Sequence, residues 1–209
     1  MKGHFIVVEG LEGAGKSSII SLIAGFLKAK QHPVISTREP GGTPMSEAIR
    51  ECVKQHWQET VTQETELLLM YAARSQLVHN VILPSLEKGL WVIGDRHNLS
   101  SVAYQGGGRQ IEIKTLDTLR EMTLGAFRPD FTIYLDVEPS VGLARARGRG
   151  QLDRIEQAGM DFFERARNVF IENVKNDSNA VQINANNSIE TVQSDTMAAL
   201  SNWYRQVEK

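Results

Sequence analysis

Residues 4–18 read HFIVVEGLEGAGKSS, and their order decides the fold. His4 to Val8 is a short β-branched and aromatic run that reads as a strand and stops at an acid, Glu9. Gly10-Leu11-Glu12-Gly13-Ala14-Gly15-Lys16-Ser17 then fits G-x-x-x-x-G-K-[ST], and Ile19, Ile20, Leu22, Ile23, Phe26 and Leu27 follow at helical spacing. A glycine-rich turn between a strand and an amphipathic helix is the setting that a phosphate-binding P-loop requires. Its glycines let backbone N–H groups close around phosphate oxygens, and the helix N-terminus adds the positive end of its dipole. Gly10 through Ser18 are therefore the expected nucleotide contacts. Lys16 supplies a charge for the β- and γ-phosphates, and the Ser17 hydroxyl is a candidate magnesium ligand.

Outward from this stretch, short β-rich runs alternate with longer helical ones. Strands are expected at Val34–Thr37, Leu90–Ile93, Phe131–Asp136 and Ala180–Ile183. Helices are expected after Thr43-Pro44, an N-cap with proline at the first helical position, and from Gln63 through LLLMYAAR, with Pro84 breaking or kinking the latter before Gly89. Further helices are expected at 113–124, 139–146, 160–175 and 189–207, with residues 54–62 and the polar, glycine-rich segment after strand three left without regular structure. The pattern predicts an α/β P-loop NTPase fold over 1–209 as a single domain, with a five-stranded parallel sheet flanked by helices. In such folds ligands bind beyond the carboxyl ends of the strands, which gives each motif a positional test.

Thr37-Arg38-Glu39-Pro40-Gly41-Gly42 follows strand two, and Asp95-Arg96-His97-Asn98-Leu99-Ser100 follows strand three, so both pass that test. Arginine suits phosphate because its planar fork donates two parallel bonds, and Arg38 and Arg96 together suggest a second phosphate apart from the one at Lys16. Asp95 has the position of a Walker-B acid that holds Mg²⁺ or its water. Glu9 and Glu12 stand where anions bind, so each must face away or meet the metal. Glu9 is accordingly a candidate metal ligand, and Glu12 is suited to accept a hydrogen bond from a sugar hydroxyl.

Taken together, EGLEGAGKS, TREPGG, YAAR, DRHNLSSVAYQGGG and RARGRGQLDRIE, in that order over residues 5–170, closely resemble the bacterial thymidylate kinases. The resemblance implies Mg²⁺-dependent transfer of the γ-phosphoryl of ATP to dTMP in a homodimer. It implies that Arg38 and Arg96 grip the acceptor phosphate and that Arg74, the arginine of YAAR, donates to the thymine O4. A guanidinium only donates, so the 4-amino group of cytosine is refused. Ser101 and Gln105 match positions near the acceptor, Tyr104 matches one beside the sugar, where it excludes a 2′-hydroxyl, and Glu12 approaches the 3′-hydroxyl. Where the family often has a phenylalanine stacked on thymine, one helical turn before Arg74, this chain has Met70, whose thioether can still pack a base face. His97 stands where the family has Tyr or His and is assigned a packing role.

The P-loop offers no basic side chain besides Lys16, so charge spread over the transferring phosphoryl must be met from elsewhere. Four of the chain's 14 arginines, Arg145, Arg147, Arg149 and Arg154, fall in an Arg/Gly stretch read as a lid over about 145–158. Arg149 is the first choice for the transition-state contact, with Arg145 and Arg154 beside it. Lys16 and Asp95 complete the expected catalytic set. The charge of −2 (23 Lys+Arg against 25 Asp+Glu) argues against a nucleic-acid-binding face. The run Phe5–Val8 is too short for a signal peptide or membrane span, and a lone Cys52 forms no intramolecular disulfide, so a soluble cytoplasmic protein is expected. A P-loop kinase for another small acceptor and a slowly hydrolysing nucleotide switch are the competing readings. The joint presence of Arg38, Arg74, Arg96 and the lid argues against the first, and the absence of an N-K-x-D weakens the GTPase form of the second.

Overall fold

In a computed structural model that describes residues 2–148 and 153–208, five parallel strands form one sheet in the order β2-β3-β1-β4-β5. The strands are β1 (Phe5–Gly10), β2 (Val34–Arg38), β3 (Trp91–Asp95), β4 (Phe131–Asp136) and β5 (Ala180–Asn184). β1 and β4 are buried along their whole length because helices cover both faces, whereas the outer strands β2 and β5 are partly exposed. Successive residues of β1 point to opposite faces. Phe5 and Val7 pack with Leu77, Ile82, Leu86 and Leu124, while Ile6 and Val8 share a second cluster with Ile19, Ile23 and Leu27. The latter three lie one turn apart on α1 (Lys16–Ala29), which explains why an apolar stripe at that spacing becomes this helix.

The remaining helices are α2 (Pro44–Lys54), α3 (Gln63–Leu77), α4 (Leu83–Glu87), α5 (Asn98–Ser101), α6 (Ile113–Leu124), α7 (Pro139–Arg147), α8 (Met160–Lys175) and α9 (Ile189–Val207). As its sequence predicts, α2 is capped by Thr43, whose hydroxyl accepts from the Ser46 N–H at 3.1 Å with Pro44 at the first helical position.

Two places differ from the sequence-based reading. The break expected at Pro84 is absorbed by a π-helical turn, Val78–Ile82, which links α3 to α4 without ending the helical path. A widened turn just upstream relieves the crowding that a proline ring imposes on the preceding carbonyls. The glycine-rich segment after β3 is also helical: α5 runs into a second π-helical stretch, Val102–Gly108. Its low propensity is overridden by packing against α8. A Cβ on Gly107 would meet the Val169 side chain at 2.7 Å, and one on Gly108 would meet the Phe162 ring at 2.3 Å, so only glycines permit this approach. Arg165 closes the junction by donating to the carbonyls of Gly107 (3.2 Å) and Gly108 (2.8 Å).

Candidate active site

The carboxyl ends of β1, β2 and β3 open onto a cavity of about 480 Å³. Its floor is the P-loop. Gly13 and Gly15 hold positive φ angles (73° and 92°), and a Cβ on Gly13 would lie 2.1 Å from the Gly142 carbonyl of α7, so the loop needs glycine there for both reasons. No side chain caps α1, which leaves its N-terminus facing the loop. Lys16 Nζ donates to the carbonyls of Gly10 (3.0 Å) and Leu11 (3.1 Å). Burial and then the neighbouring Arg96 charge lower its pKa to about 8, against the pull of Asp95, Glu12 and Glu9. Ser17 and Ser18 line the cavity and are exposed, whereas Leu11 and Ala14 turn into the core.

The acids flanking the loop differ in environment. Glu9 is fully buried and faces the start of α5, accepting from the His97 and Ser100 N–H groups (2.8 and 3.2 Å) and from the Ser100 hydroxyl (2.6 Å). Burial, the dominant influence, raises its pKa despite those donors. Glu12 lines the cavity and is held by Arg96 Nη2 (2.7 Å) and the Tyr104 hydroxyl (2.7 Å). Burial alone would raise it, but the Arg96 and Lys16 charges together with the Tyr104 hydrogen bond hold it low, so it is ionised and neutralised within the site. Arg96 also donates to Ser100 (3.1 Å) and lies 5.0 Å from the centre of the Tyr104 ring. Tyr104 in turn packs among Phe162, Phe163 and Phe170. Asp95, at the end of β3, lines the cavity, and its Oδ1 is buried without a hydrogen-bond partner.

A second constellation lies on the helical wall. Arg74 is buried (3% side-chain exposure) and donates through Nε to Glu39 (2.6 Å) and through Nη2 to the His97 carbonyl (3.1 Å) and the Ser101 hydroxyl (3.0 Å). Its Nη1 alone has no partner. Glu39 also pairs with His97 Nδ1 at 2.7 Å, so His97, read as packing, fixes the orientation of an arginine twice, by its ring through Glu39 and by its carbonyl directly. The His97 ring nonetheless packs as expected, edge-on to Phe5 (5.2 Å) and Phe127 (6.0 Å). Met70, Ser101 and Gln105 complete this wall.

Two of the described arginines expected to act, Arg38 and Arg154, do not line the cavity. Arg38 is exposed and paired with Glu47 at 2.9 Å, beside Asp95 in the sheet register. Arg154 donates to the Val53 carbonyl (3.1 Å) and pairs with Glu66 (2.8 Å). Arg149 lies outside the described residues. Arg145, by contrast, is in the last turn of α7 and lines the cavity, 3.0 Å from the Ala185 carbonyl. Sequence reasoning missed Arg50, which lines the cavity with one hydrogen bond, to the Pro40 carbonyl (2.9 Å), and whose pKa is lowered by burial and by Arg38. It also missed Glu39 and Glu66 as orienting acids; for Glu39 the quoted REPGG stretch was the available signal.

The family model described as Thymidylate kinase matches residues 8–196 of this chain. Among curated proteins, it is 58% identical over 206 residues to the thymidylate kinase of Alteromonas mediterranea, covering 99% of this chain and 93% of the relative. It is 53% identical over 204 residues to that of Pseudoalteromonas translucida, covering 98% of each.

Proposed function

The chain belongs to the thymidylate kinase family and phosphorylates dTMP to dTDP with ATP, a step of dTTP synthesis, and we propose that it does so with both nucleotides in the cavity described above. The observation that carries the placement of dTMP is Arg74 Nη1, a buried donor without a partner beside the cavity. A guanidinium donor in that state is satisfied by a 4-carbonyl and opposed by a 4-amino group, and a buried unpaired donor costs about 1–3 kcal/mol. Gln105 accepts from N3–H, Ser101 lies near the base edge, and Met70 packs on the base. Glu12 retains lone pairs for the 3′-hydroxyl, and the Tyr104 ring closes the 2′ side.

The acceptor phosphate meets Arg96 and Arg50, and Arg38 joins them by exchanging Glu47 for the phosphate. ATP lies with its phosphates on Gly10–Ser18. An acceptor phosphate oxygen attacks Pγ in line, the new O–P bond forms as the bond to the bridging β–γ oxygen breaks, and ADP leaves with that electron pair. Lys16, Arg145, Arg149 and Arg154 neutralise the charge that develops on the transferring group. No side chain becomes covalently bound, so the rate comes from positioning and charge.

Mg²⁺ fits two oxygens here, the orphaned Asp95 Oδ1 and the Ser17 hydroxyl, and it supplies charge neutralisation between the β- and γ-phosphates when bound. Both Glu9 oxygens already accept protein hydrogen bonds, which favours this narrower ligand set. A homodimer is supported by exposed apolar side chains on the adjoining helices α3 and α6, namely Leu68, Ile113 and Met122. A cytoplasmic setting is supported by the lone free Cys52. Among the described residues no helix is long and apolar enough to cross a membrane.

The experiment is product analysis. With ATP, Mg²⁺ and dTMP, dTDP and ADP should appear in equal amounts, and chelation of the metal should stop both. ADP without dTDP would contradict the reading.

A further inference from the structure

Glu66 is the most buried acid of α3 (1% side-chain exposure), and nothing in the transfer chemistry above uses it. Its carboxylate gathers donors from two other parts of the chain: Gln105 Nε2 at 2.9 Å, Arg109 Nε and Nη2 at 3.2 and 3.1 Å, and Arg154 Nη1 at 2.8 Å. Burial by itself would raise its pKa. Hydrogen bonds from Arg109 and Gln105 and the charges of Arg109 and Arg154 outweigh that, so the carboxyl is held below its ordinary range and stays ionised.

An ionised carboxylate only accepts hydrogen bonds, whereas a glutamine amide has one donating and one accepting end. With Glu66 on one side, the amide of Gln105 has a single satisfactory orientation, Nε2 toward Glu66. Its Oε1 accepts no hydrogen bond from any described residue, and Gln105 lines the cavity. Glu39 acts on Arg74 in a parallel way, occupying Nε and leaving Nη1 open. The wall therefore offers one donor and one acceptor, the complement of a base edge with a 4-carbonyl and a protonated N3. Cytosine presents the reverse at both positions.

We propose that Glu66 is a specificity-determining positioning residue: by accepting from Gln105 Nε2 it locks the amide so that Oε1 alone faces N3 of the acceptor base. The inference rests on the placement of the base beside Arg74 and Gln105 given above. Without Glu66 the amide turns over and presents a donor that suits the unprotonated N3 of cytosine.

The test is the ratio of kcat/KM for dTMP over dCMP in the wild type, Glu66→Gln, Gln105→Leu and the double variant. A general loss of fold, or a disturbance of Arg109 and Arg154, scales both substrates alike and leaves this ratio unmoved. We expect Glu66→Gln to lower it about tenfold, Gln105→Leu to lower it comparably, and the double variant to lower it no further than Gln105→Leu alone. A ratio in Glu66→Gln within about twofold of wild type, or a second fall of about tenfold in the Gln105→Leu background, overturns the proposal. If Glu66→Gln does not fold, Glu66→Asp is measured in the same design, since it keeps a charge for the arginines but withdraws it from Gln105 by one methylene. A wild-type ratio near one removes the base placement and the proposal together. A high ratio that survives in the Glu66 variant overturns the role of Glu66 alone.

Discussion

In the function proposed above, Lys16 joins phosphate binding to a pH signature. Its pKa in the free protein is about 8 because burial and the Arg96 charge disfavour the ammonium form. ATP phosphates favour that form and raise the pKa, so binding takes up a proton. The affinity is greatest below pH 8 and weakens as pH rises through 8, by up to about tenfold per unit. The KM for ATP should therefore climb between about pH 8 and 9.5, where the phosphates no longer titrate, and a flat profile would contradict this assignment of Lys16. Arg149 carries the complementary prediction: Arg149→Ala should lower kcat by about a thousandfold while changing dTMP affinity less than about threefold. An unchanged kcat would move the role to Arg145 or Arg154. Lys16 was legible because its motif fixes both identity and spacing, whereas spacing does not rank Arg149 above Arg145 or Arg154. Glu66 was not legible, since an acid on a helix surface reads the same whether solvated or buried, and only the folded packing of Gln105, Arg109 and Arg154 distinguishes the two cases.

At the scale of elements, the stretch after β3 was the hardest to read and is among the most consequential. Glycine-rich sequence has low helical propensity, yet Val102–Gly108 is a π-helical turn because Gly107 and Gly108 let it seat against α8. That seating sets the positions of Tyr104 and Gln105, four and three residues before Gly108, so a packing requirement on one side of the turn fixes site geometry on the other. Gly108→Ala places a Cβ 2.3 Å from the buried Phe162 ring. Overpacking of that kind costs about 1–3 kcal/mol, and a fall in Tm of about 5 °C with a raised KM for dTMP is expected. An unaltered melting curve would show that the junction yields without cost. The helices and strands read from periodicity were recovered with shifts of a residue or two at their ends. Those shifts matter, because β1 and β3 run on to Gly10 and Asp95 and so carry candidate site residues on the sheet itself.

Across the whole molecule, a net charge of −2 hides a cavity lined by Lys16, Arg50, Lys54, Arg74, Arg96 and Arg145. Internal acids satisfy some of these cations and leave others for ligands: Arg96 is paired with Glu12 and Arg74 with Glu39, while Lys16 holds only backbone carbonyls. Overall composition reports none of this, since it averages over the three strand ends that the sheet order β2-β3-β1 brings together. In the proposed function, this cavity selects dTMP by recognising a thymine edge through Arg74. Initial rates with saturating ATP and Mg²⁺ and varied dTMP or dCMP, for the wild type and Arg74→Ala, test it most directly. The wild type should favour dTMP by about a hundredfold or more in kcat/KM, and Arg74→Ala should raise the KM for dTMP and reduce that preference by at least about tenfold. A preference for dTMP that survives intact in Arg74→Ala would contradict it.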